Sequence, residues 1–544
     1  MSSPGGLIPA NSRQTAPVAE RSSGIKPLGP TRYFSLRTLV GLPLLWASMY
    51  FVPLLDASRA YLLPSNDLIE WIVLPSLVAV VAGALLLLSI SPVLRWINPR
   101  IAIGAEAIGL TILAITAVKV LFLAAGYRWE QLIPTGGYVP LGLSLYLCKY
   151  GFCFGILAVM WAGRGHLRRW TRLLSGLGLS LGVLAAIRIF FLWNTHQPTP
   201  EPSTGMATPK PSATSPVPAG THVRRVVWVI FDESDYNRMY GAEAPAAPEL
   251  TNFARLARSA VFATNANSPA GSTLYSIPAL LAGVPIGGDG IRFDRSAAPS
   301  LEETDGTIVP FDERATIFGA LAAGGRTASV LGFYHPYCKL FTLQRCDSFP
   351  WPQVGGWTPA LWGNAPVFLS NMVGSAYFGE VTENLLRLLP EYLARDDALT
   401  FVHLNLPHLP ASYADKALHL PASRVPLEEY SRNLILADRV LGRIITLLER
   451  QSSEKELLLV VSTDHWLRNW SYGDPAPEVS RKVPFIAWKV GATQGEVLTH
   501  PLSTVHTASM ILDYLDGKIS SQSEIGRWWE DKPVYPSFMV LVKD

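Results

Sequence analysis

Charged residues are scarce in this 544-residue chain, at 16% of positions, and 45 Lys+Arg against 42 Asp+Glu leave a net charge of only +3. No basic stripe with interleaved aromatics appears, which excludes a nucleic-acid partner held through its phosphates. Cysteine is nearly absent too. Four residues cannot staple a chain of this length, so stability must come from packed cores. Nor is there an early apolar run. Residues 1–33 are polar and rich in Ser, Pro, Gly and basic side chains, and are expected to form a disordered cytoplasmic tail rather than a signal peptide.

Hydrophobic residues nevertheless reach 49%, more than a purely water-soluble protein needs. They concentrate in five apolar segments, about 36–55, 71–94, 103–125, 139–162 and 173–193. Each is long enough to cross a hydrocarbon core of ~30 Å. Arg21, Lys26, Arg32 and Arg37 precede the first segment, Arg95 and Arg100 follow the second, and Arg164, Arg168, Arg169 and Arg172 follow the fourth. The other two connections carry little net charge. The positive-inside rule then places the basic loops in the cytoplasm and everything after the fifth crossing outside. The expected organisation is a tail over 1–33, a five-helix transmembrane domain over 34–193, a Pro/Ser/Thr linker over 194–220 and an extracytoplasmic domain over 221–544.

Beyond the linker the pattern becomes that of alternating strands and helices. Strands are predicted at Arg224–Phe231, Thr327–Phe333, Leu399–Leu406, Leu457–Val461 and Val483–Lys489, and helices at Glu313–Ala323 and Leu427–Glu449. This alternation predicts an α/β sandwich around a mainly parallel sheet. In such sheets ligands bind at the carboxyl ends of the strands. There the sequence places Asp232-Glu233-Ser-Asp235, His403-Leu-Asn405-Leu-Pro-His408 and Ser462-Thr-Asp464-His465-Trp466. A fourth element is Asn267-Ser-Pro-Ala-Gly-Ser272-Thr273-Leu-Tyr-Ser276, leading into an apolar segment that ends at Gly283. It sets a hydroxyl beside the free N–H groups and positive dipole end of a helix start, where an attacking group on a phosphate or sulfate ester is favoured. Each motif alone has a bland reading as a cap or a core polar residue. Together, at one sheet edge, they make a metal-assisted hydrolytic or transfer site.

Over about 224–515 these motifs resemble the alkaline phosphatase/sulfatase superfamily. The likeness is to its membrane-anchored bacterial branch of lipoteichoic acid synthase-like and phosphoethanolamine or phosphoglycerol transferases. The resemblance implies an alkaline phosphatase-like fold, metal ligands at Glu233 (with Asp232), Thr273, Asp464 and His465, and a substrate-side histidine at His408. Sulfatases instead oxidise a Cys or Ser within Cys/Ser-x-Pro-x-Arg. Here Thr273, Tyr275 and Ile277 stand at the nucleophile, proline and arginine positions, which disfavours sulfate-ester chemistry. In the resembled branch a threonine nucleophile serves transfer from a phospholipid donor to an envelope glycan. Only Cys338 and Cys346 lie in the domain, short of the Cys-rich pattern of the lipid A enzymes. In an extracytoplasmic setting they can close a short disulfide.

One divalent cation, Zn²⁺ or Mn²⁺, suits this oxygen and nitrogen donor set and lowers the pKa of a coordinated hydroxyl. Thr273 is then the expected nucleophile and His408 the acid or base, a role worth about 10²–10⁴-fold. Asn405, Trp466 and Arg468 are candidates for substrate contact, and His335-Pro-Tyr-Cys338 for lining the pocket. Lys149, near the middle of a predicted span, is a candidate for a lipid headgroup. A membrane-anchored phosphodiesterase or phosphatase using water is the alternative reading.

Overall fold

The computed structural model describes residues 224–539 with breaks at 242–243, 245–246, 295–297, 351–366, 410–411, 421–425, 452–455 and 469–480. Ahead of these it describes 35–51, 61, 78, 80–85, 93–94, 96–124, 158 and 167–195. The tail over 1–33, the linker, Lys149 and nearly all of the predicted span 139–162 lie outside the described residues.

Among the described residues the N-terminal part shows the apolar helices α1 (Leu36–Phe51), α2 (Pro99–Ala124) and α3 (Leu167–Thr195). Small residues let α1 and α3 approach backbone to backbone: a Cβ on Gly178 would lie 1.9 Å from the Gly41 carbonyl oxygen, and one on Gly41 2.3 Å from that of Ser175. Close packing of this kind is how helices associate where no hydrophobic drive separates them from lipid. Ile101, Ile108, Leu173, Val183, Leu184 and Phe190 point outward and are exposed. Among the described residues one helical stretch, Arg169–Ile187, is long and apolar enough to cross a membrane.

The second part is built on a nine-stranded sheet in the order β11-β2-β10-β9-β1-β8-β6-β7, with β12 also paired to β2. The strands are β1 (Arg224–Phe231), β2 (Val261–Asn267), β6 (Ala328–Tyr334), β7 (Arg345–Pro350), β8 (Leu399–Leu404), β9 (Glu456–Ser462), β10 (Lys482–Lys489), β11 (Glu496–Leu498) and β12 (Leu502–Ser503). A separate three-stranded antiparallel sheet holds β3 (Ile286–Phe293), β4 (Pro299–Glu303) and β5 (Ile308–Pro310).

β1 explains the layering. Its apolar run is continuous because both faces are covered: Val226, Trp228 and Ile230 join one core, Val227, Val229 and Phe231 the other. Each such side chain contributes about 1.5–3 kcal/mol when fully buried. Helices α4 (Thr251–Ser259), α7 (Val367–Leu393) and α8 (Pro426–Gln451) cover the second face. On α8, Tyr430, Leu434, Ala437, Leu441, Ile444 and Leu448 recur at helical spacing and fill it. The first face is covered by α5 (Thr273–Ala282), α6 (Ile317–Ala323), α9 (Thr507–Leu515) and α10 (Gln522–Trp528).

The sheet is mixed. β1, β6, β7, β8 and β9 are mutually parallel, but β10 runs antiparallel to both β9 and β2. Two reversals restore direction, so β2 points the same way as β1. The predicted helix Glu313–Ala323 is divided into a 3₁₀ turn, Glu313–Ala315, and α6, with extended Thr316 between them. The Asp312 side chain draws in the N–H groups of Arg314 and Ala315, closing the turn before the helix starts.

Candidate active site and metal centre

Because β1, β2, β6, β8 and β9 share one direction, the residues following them meet at a single edge. Asp232 and Glu233 follow β1, Thr273 lies beyond β2, His335 follows β6, His403 is within β8 near its end, and Asp464 and His465 follow β9. His403 was passed over in the sequence. Strand alternation sets it on the face of Leu399 and Phe401, the one that carries α5.

Thr273 is the first residue of α5, with extended Ser272 as its N-cap. Gly283 ends the helix in the left-handed region at φ 68° and returns its N–H to Ala279. Ser276 lies one turn in, fully buried, with its hydroxyl donating to the Ala270 carbonyl and accepting from the Ala270 N–H. It holds the loop that delivers Thr273 and does not face the carboxylates.

The hydroxyl of Thr273 lies 3.3 Å from His465 Nε2. His465 Nδ1 is 2.8 Å from the Trp466 carbonyl, which can only accept, so Nδ1 carries the proton and Nε2 presents a lone pair. That lone pair is 3.4 Å from Asp464 Oδ2 and 3.8 Å from Asp232 Oδ1. Asp464 Oδ1 accepts from the Glu233 N–H at 2.9 Å, holding Glu233 at a positive φ of 65°. The Glu233 carbonyl accepts from Tyr430 Oη at 2.8 Å. Both backbone groups of this strained residue are thereby fixed, and its carboxylate is aimed into the site.

All of these groups are buried. Asp232 Oδ1 and Oδ2, Glu233 Oε2 and Asp464 Oδ2 have no hydrogen-bond partner among the described residues. Burial, with the Asp464 and Glu233 charges added, pushes the Asp232 carboxyl well above its usual range. Burial acts the same way on Asp464, but His465, His403, the Glu233 N–H and the Thr273 hydroxyl outweigh it and hold that carboxyl low. Burial also lowers the imidazoles of His335, to about 3, and His403, to about 4. Unpartnered carboxylate oxygens facing an imidazole lone pair fit a divalent cation, the species that would reverse the repulsion on Asp232. Donor atoms of Asp232, Asp464 and His465 all lie within 4.8 Å of one another. Glu233 Oε2 faces the same space, and its Oε1 lies 3.3 Å from Arg468 Nε.

At the open side His408 is about one-quarter exposed, with Nε2 3.7 Å from Glu233 Oε2. Its ring stacks on Phe378 at 5.4 Å, and Asn433 Nδ2 donates to its carbonyl at 2.8 Å. Asn405 turns away from the carboxylates, and its amide donates to Thr382 Oγ1 at 2.9 Å. Trp466 packs into the core, and Gly271 leaves room for its ring: a Cβ there would fall 3.0 Å from Trp466 Cη2. Gly332 does the same for Tyr337, whose hydroxyl reaches His403 Nδ1 at 2.8 Å; a Cβ at Gly332 would lie 2.3 Å from Tyr337 Cε2. Cys338 and Cys346 form a disulfide that ties the segment after His335 to β7.

Residues 324–517 match the Sulfatase family model, a span that includes His403, His408, Asp464 and His465 but not Asp232, Glu233 or Thr273. No curated protein matches the chain in sequence. Several solved structures resemble it at low identity. One is the C-terminal periplasmic domain of phosphoethanolamine transferase EptC from Campylobacter jejuni, at 16% identity and TM-score 0.38, over 57% of this chain and 97% of that one. Another is the corresponding domain of EcEptC from Escherichia coli in complex with Zn, at 13% and 0.38, over 59% and 90%. A third is the soluble domain of lipooligosaccharide phosphoethanolamine transferase A from Neisseria meningitidis, at 16% and 0.36, over 56% and 90%. Residues 324–517 are thus similar to the Sulfatase family model, within an α/β sandwich whose strand ends converge on a buried carboxylate–imidazole centre.

Proposed function

We propose that this chain transfers a phospho-substituent, phosphoethanolamine or phosphoglycerol, from a membrane phospholipid to a cell-envelope glycan, with Thr273 as the nucleophile. The observation that carries the reading is the Thr273 hydroxyl at a helix start, 3.3 Å from His465 Nε2 and beside unpartnered buried carboxylates. Asp232, Glu233, Asp464 and His465, with Thr273, would hold one Zn²⁺ or Mn²⁺ ion. Bound there, such an ion makes a neighbouring hydroxyl more acidic and offsets charge on a phosphoryl group.

Thr273 Oγ forms a bond to the donor's phosphorus, the bond to the diacylglycerol oxygen breaks, and a phosphothreonine diester remains. The positive dipole end of α5 would favour the negative charge on the equatorial oxygens. His408 is the half-open group able to give a proton to the departing oxygen and later to take one from the acceptor hydroxyl. Arg468, paired with Glu233, supplies positive charge at the same edge. The outward-facing apolar side chains of α2 and α3 support a membrane-embedded part, and the Cys338–Cys346 disulfide supports an oxidising, extracytoplasmic setting. Lys149 keeps its proposed place as a headgroup contact.

Mass spectrometry of the Thr273 peptide, after incubating the full chain with mixed bacterial phospholipids and a divalent metal, tests this. A phosphoethanolamine or phosphoglycerol increment is expected and names the donor. Headgroup release with no adduct and no glycan product would favour the hydrolase reading instead.

A further inference from the structure

Tyr61 lies far from the site in sequence, in the weakly charged connection between the first two apolar segments, yet it is 1% exposed and buried against the catalytic domain. Its ring is 5.2 Å from that of Phe293 and meets the His335 ring edge-on at 5.8 Å. Its hydroxyl is 2.9 Å from His335 Nδ1, across 274 positions of chain. On the other side of that imidazole, Nε2 is 3.0 Å from the backbone carbonyl of Thr273.

The direction of this relay follows from donor chemistry. A carbonyl oxygen can only accept, so His335 Nε2 carries the proton. In the neutral ring Nδ1 is then the acceptor, and Tyr61 must donate to it. The Tyr61 hydroxyl thus selects the tautomer in which His335 holds the Thr273 main chain. If the hydroxyl is removed, a buried ring nitrogen loses its partner, and the competing tautomer would turn a lone pair toward the Thr273 carbonyl.

We infer that Tyr61 is a positioning residue: seated beside His335, it sets, through that imidazole, the backbone from which the Thr273 hydroxyl projects. This rests on the reading of Thr273 as the nucleophile. It makes the attack geometry depend on a residue that precedes the catalytic domain in the chain, so that the site is fully aligned only while Tyr61 is seated against His335.

The test compares full-length wild type, Tyr61→Phe and Tyr61→Ala in nanodiscs containing phosphatidylethanolamine and phosphatidylglycerol. Phenylalanine keeps the packing against Phe293 and removes only the donor. Two readouts are taken: diacylglycerol release, and hydrogen–deuterium exchange of the amides at 272–277. Tyr61→Phe is expected to lower kcat about tenfold with KM for the donor unchanged, the scale of one buried hydrogen bond left unmade. Exchange at 272–277 should quicken more than in the rest of the domain, with the melting temperature lowered only by the cost of one unmade hydrogen bond and less than in Tyr61→Ala. Wild-type kcat and exchange in Tyr61→Phe, with loss confined to Tyr61→Ala, would reduce the residue to packing and overturn the inference. If wild type itself releases no diacylglycerol, the transferase reading fails, and the exchange difference still decides whether Tyr61 holds the Thr273 segment.

Discussion

Thr273 Oγ1 and His465 Nε2 stand 3.3 Å apart, and the imidazole has already committed its proton to the Trp466 carbonyl. In that pair the threonine is the group able to donate and His465 Nε2 the acceptor. On the proposed reading, Thr273→Ala removes the hydroxyl that carries the covalent intermediate. Transfer should fall at least about 10³-fold, with no adduct on the peptide. Thr273→Ser, which keeps the hydroxyl, should retain an adduct detectable by the same mass spectrometry.

Cation binding should read out in stability without any assay of turnover. Adding Zn²⁺ or Mn²⁺ to chelated protein at a hundredfold excess over Kd should stabilise it by about 2.7 kcal/mol, seen as a higher melting temperature. Asp464→Asn should abolish the increment. In the chelated protein, Asp232→Asn should raise the melting temperature, because it removes one of several mutually repelling buried carboxylates. A chelated Asp232→Asn protein less stable than wild type would argue against this charge arrangement.

The buried titratable groups give an acid dependence with a definite sign. His335 and His403 have folded-state pKa values held by burial at about 3 and about 4, below their ordinary 6.5. The unfolded chain therefore takes up protons first, and stability falls as pH drops below about 6.5, by at most ~1.4 kcal/mol per pH unit for each histidine. Asp235 works the other way. Burial raises it from 3.8 to about 6, so it costs stability as pH rises from about 4 toward 6, and relieves that cost as pH falls. In chelated protein, Asp235→Asn keeps the helix cap and should steepen the loss of melting temperature between pH 6 and 4.

Gly332→Ala tests the support of His403. The new Cβ would fall 2.3 Å from Tyr337, too close for both to stay, so the Tyr337–His403 hydrogen bond should break. A loss of about 1–3 kcal/mol in thermal stability is expected, accompanied by weaker metal stabilisation. A Gly332→Ala variant that melts like wild type would contradict the packing described here.

Replacing both Cys338 and Cys346 by serine should cost about 2–3 kcal/mol, since the closed loop is short. A non-reducing peptide map of protein taken from cells should show the two cysteines linked. Free thiols in that map would argue against an extracytoplasmic domain.

The strands most legible in the sequence are those buried on both faces. β1, β8 and β9 are predominantly apolar, with Val226–Phe231 and Leu457–Val461 as continuous runs, and their boundaries lie within two residues of those read from pattern alone. β2 was not legible: Val-Phe-Ala-Thr-Asn-Ala-Asn lacks the two-residue alternation of a strand, and its two asparagines read as a loop. The antiparallel course of β10 was equally hidden, because a run of apolar residues carries no direction. Asp232, Glu233, Thr273, Asp464 and His465, named from their places after predicted strands and in the loop before α5, are brought together at one sheet edge. Asn405 and Trp466 occupied the same position in the pattern, yet their side chains serve α7 and the core. Which way a side chain turns depends on its neighbours in space. For the same reason Tyr61, a lone aromatic in a connection, carried no signal at all.

β1 lies in the middle of its sheet, between β8 and β9, and both partners are encoded far downstream. As the chain emerges from its N-terminus, Arg224–Phe231 is made long before residues 399–404 and 456–462 exist. Throughout that interval a strand that is apolar from Val226 to Phe231 has both hydrogen-bonding edges open, the condition under which strands pair with the wrong partner. The geometry that shelters Asp232 and Glu233 in the finished protein thus imposes a period of aggregation risk during biogenesis, and it ends only when β9 arrives.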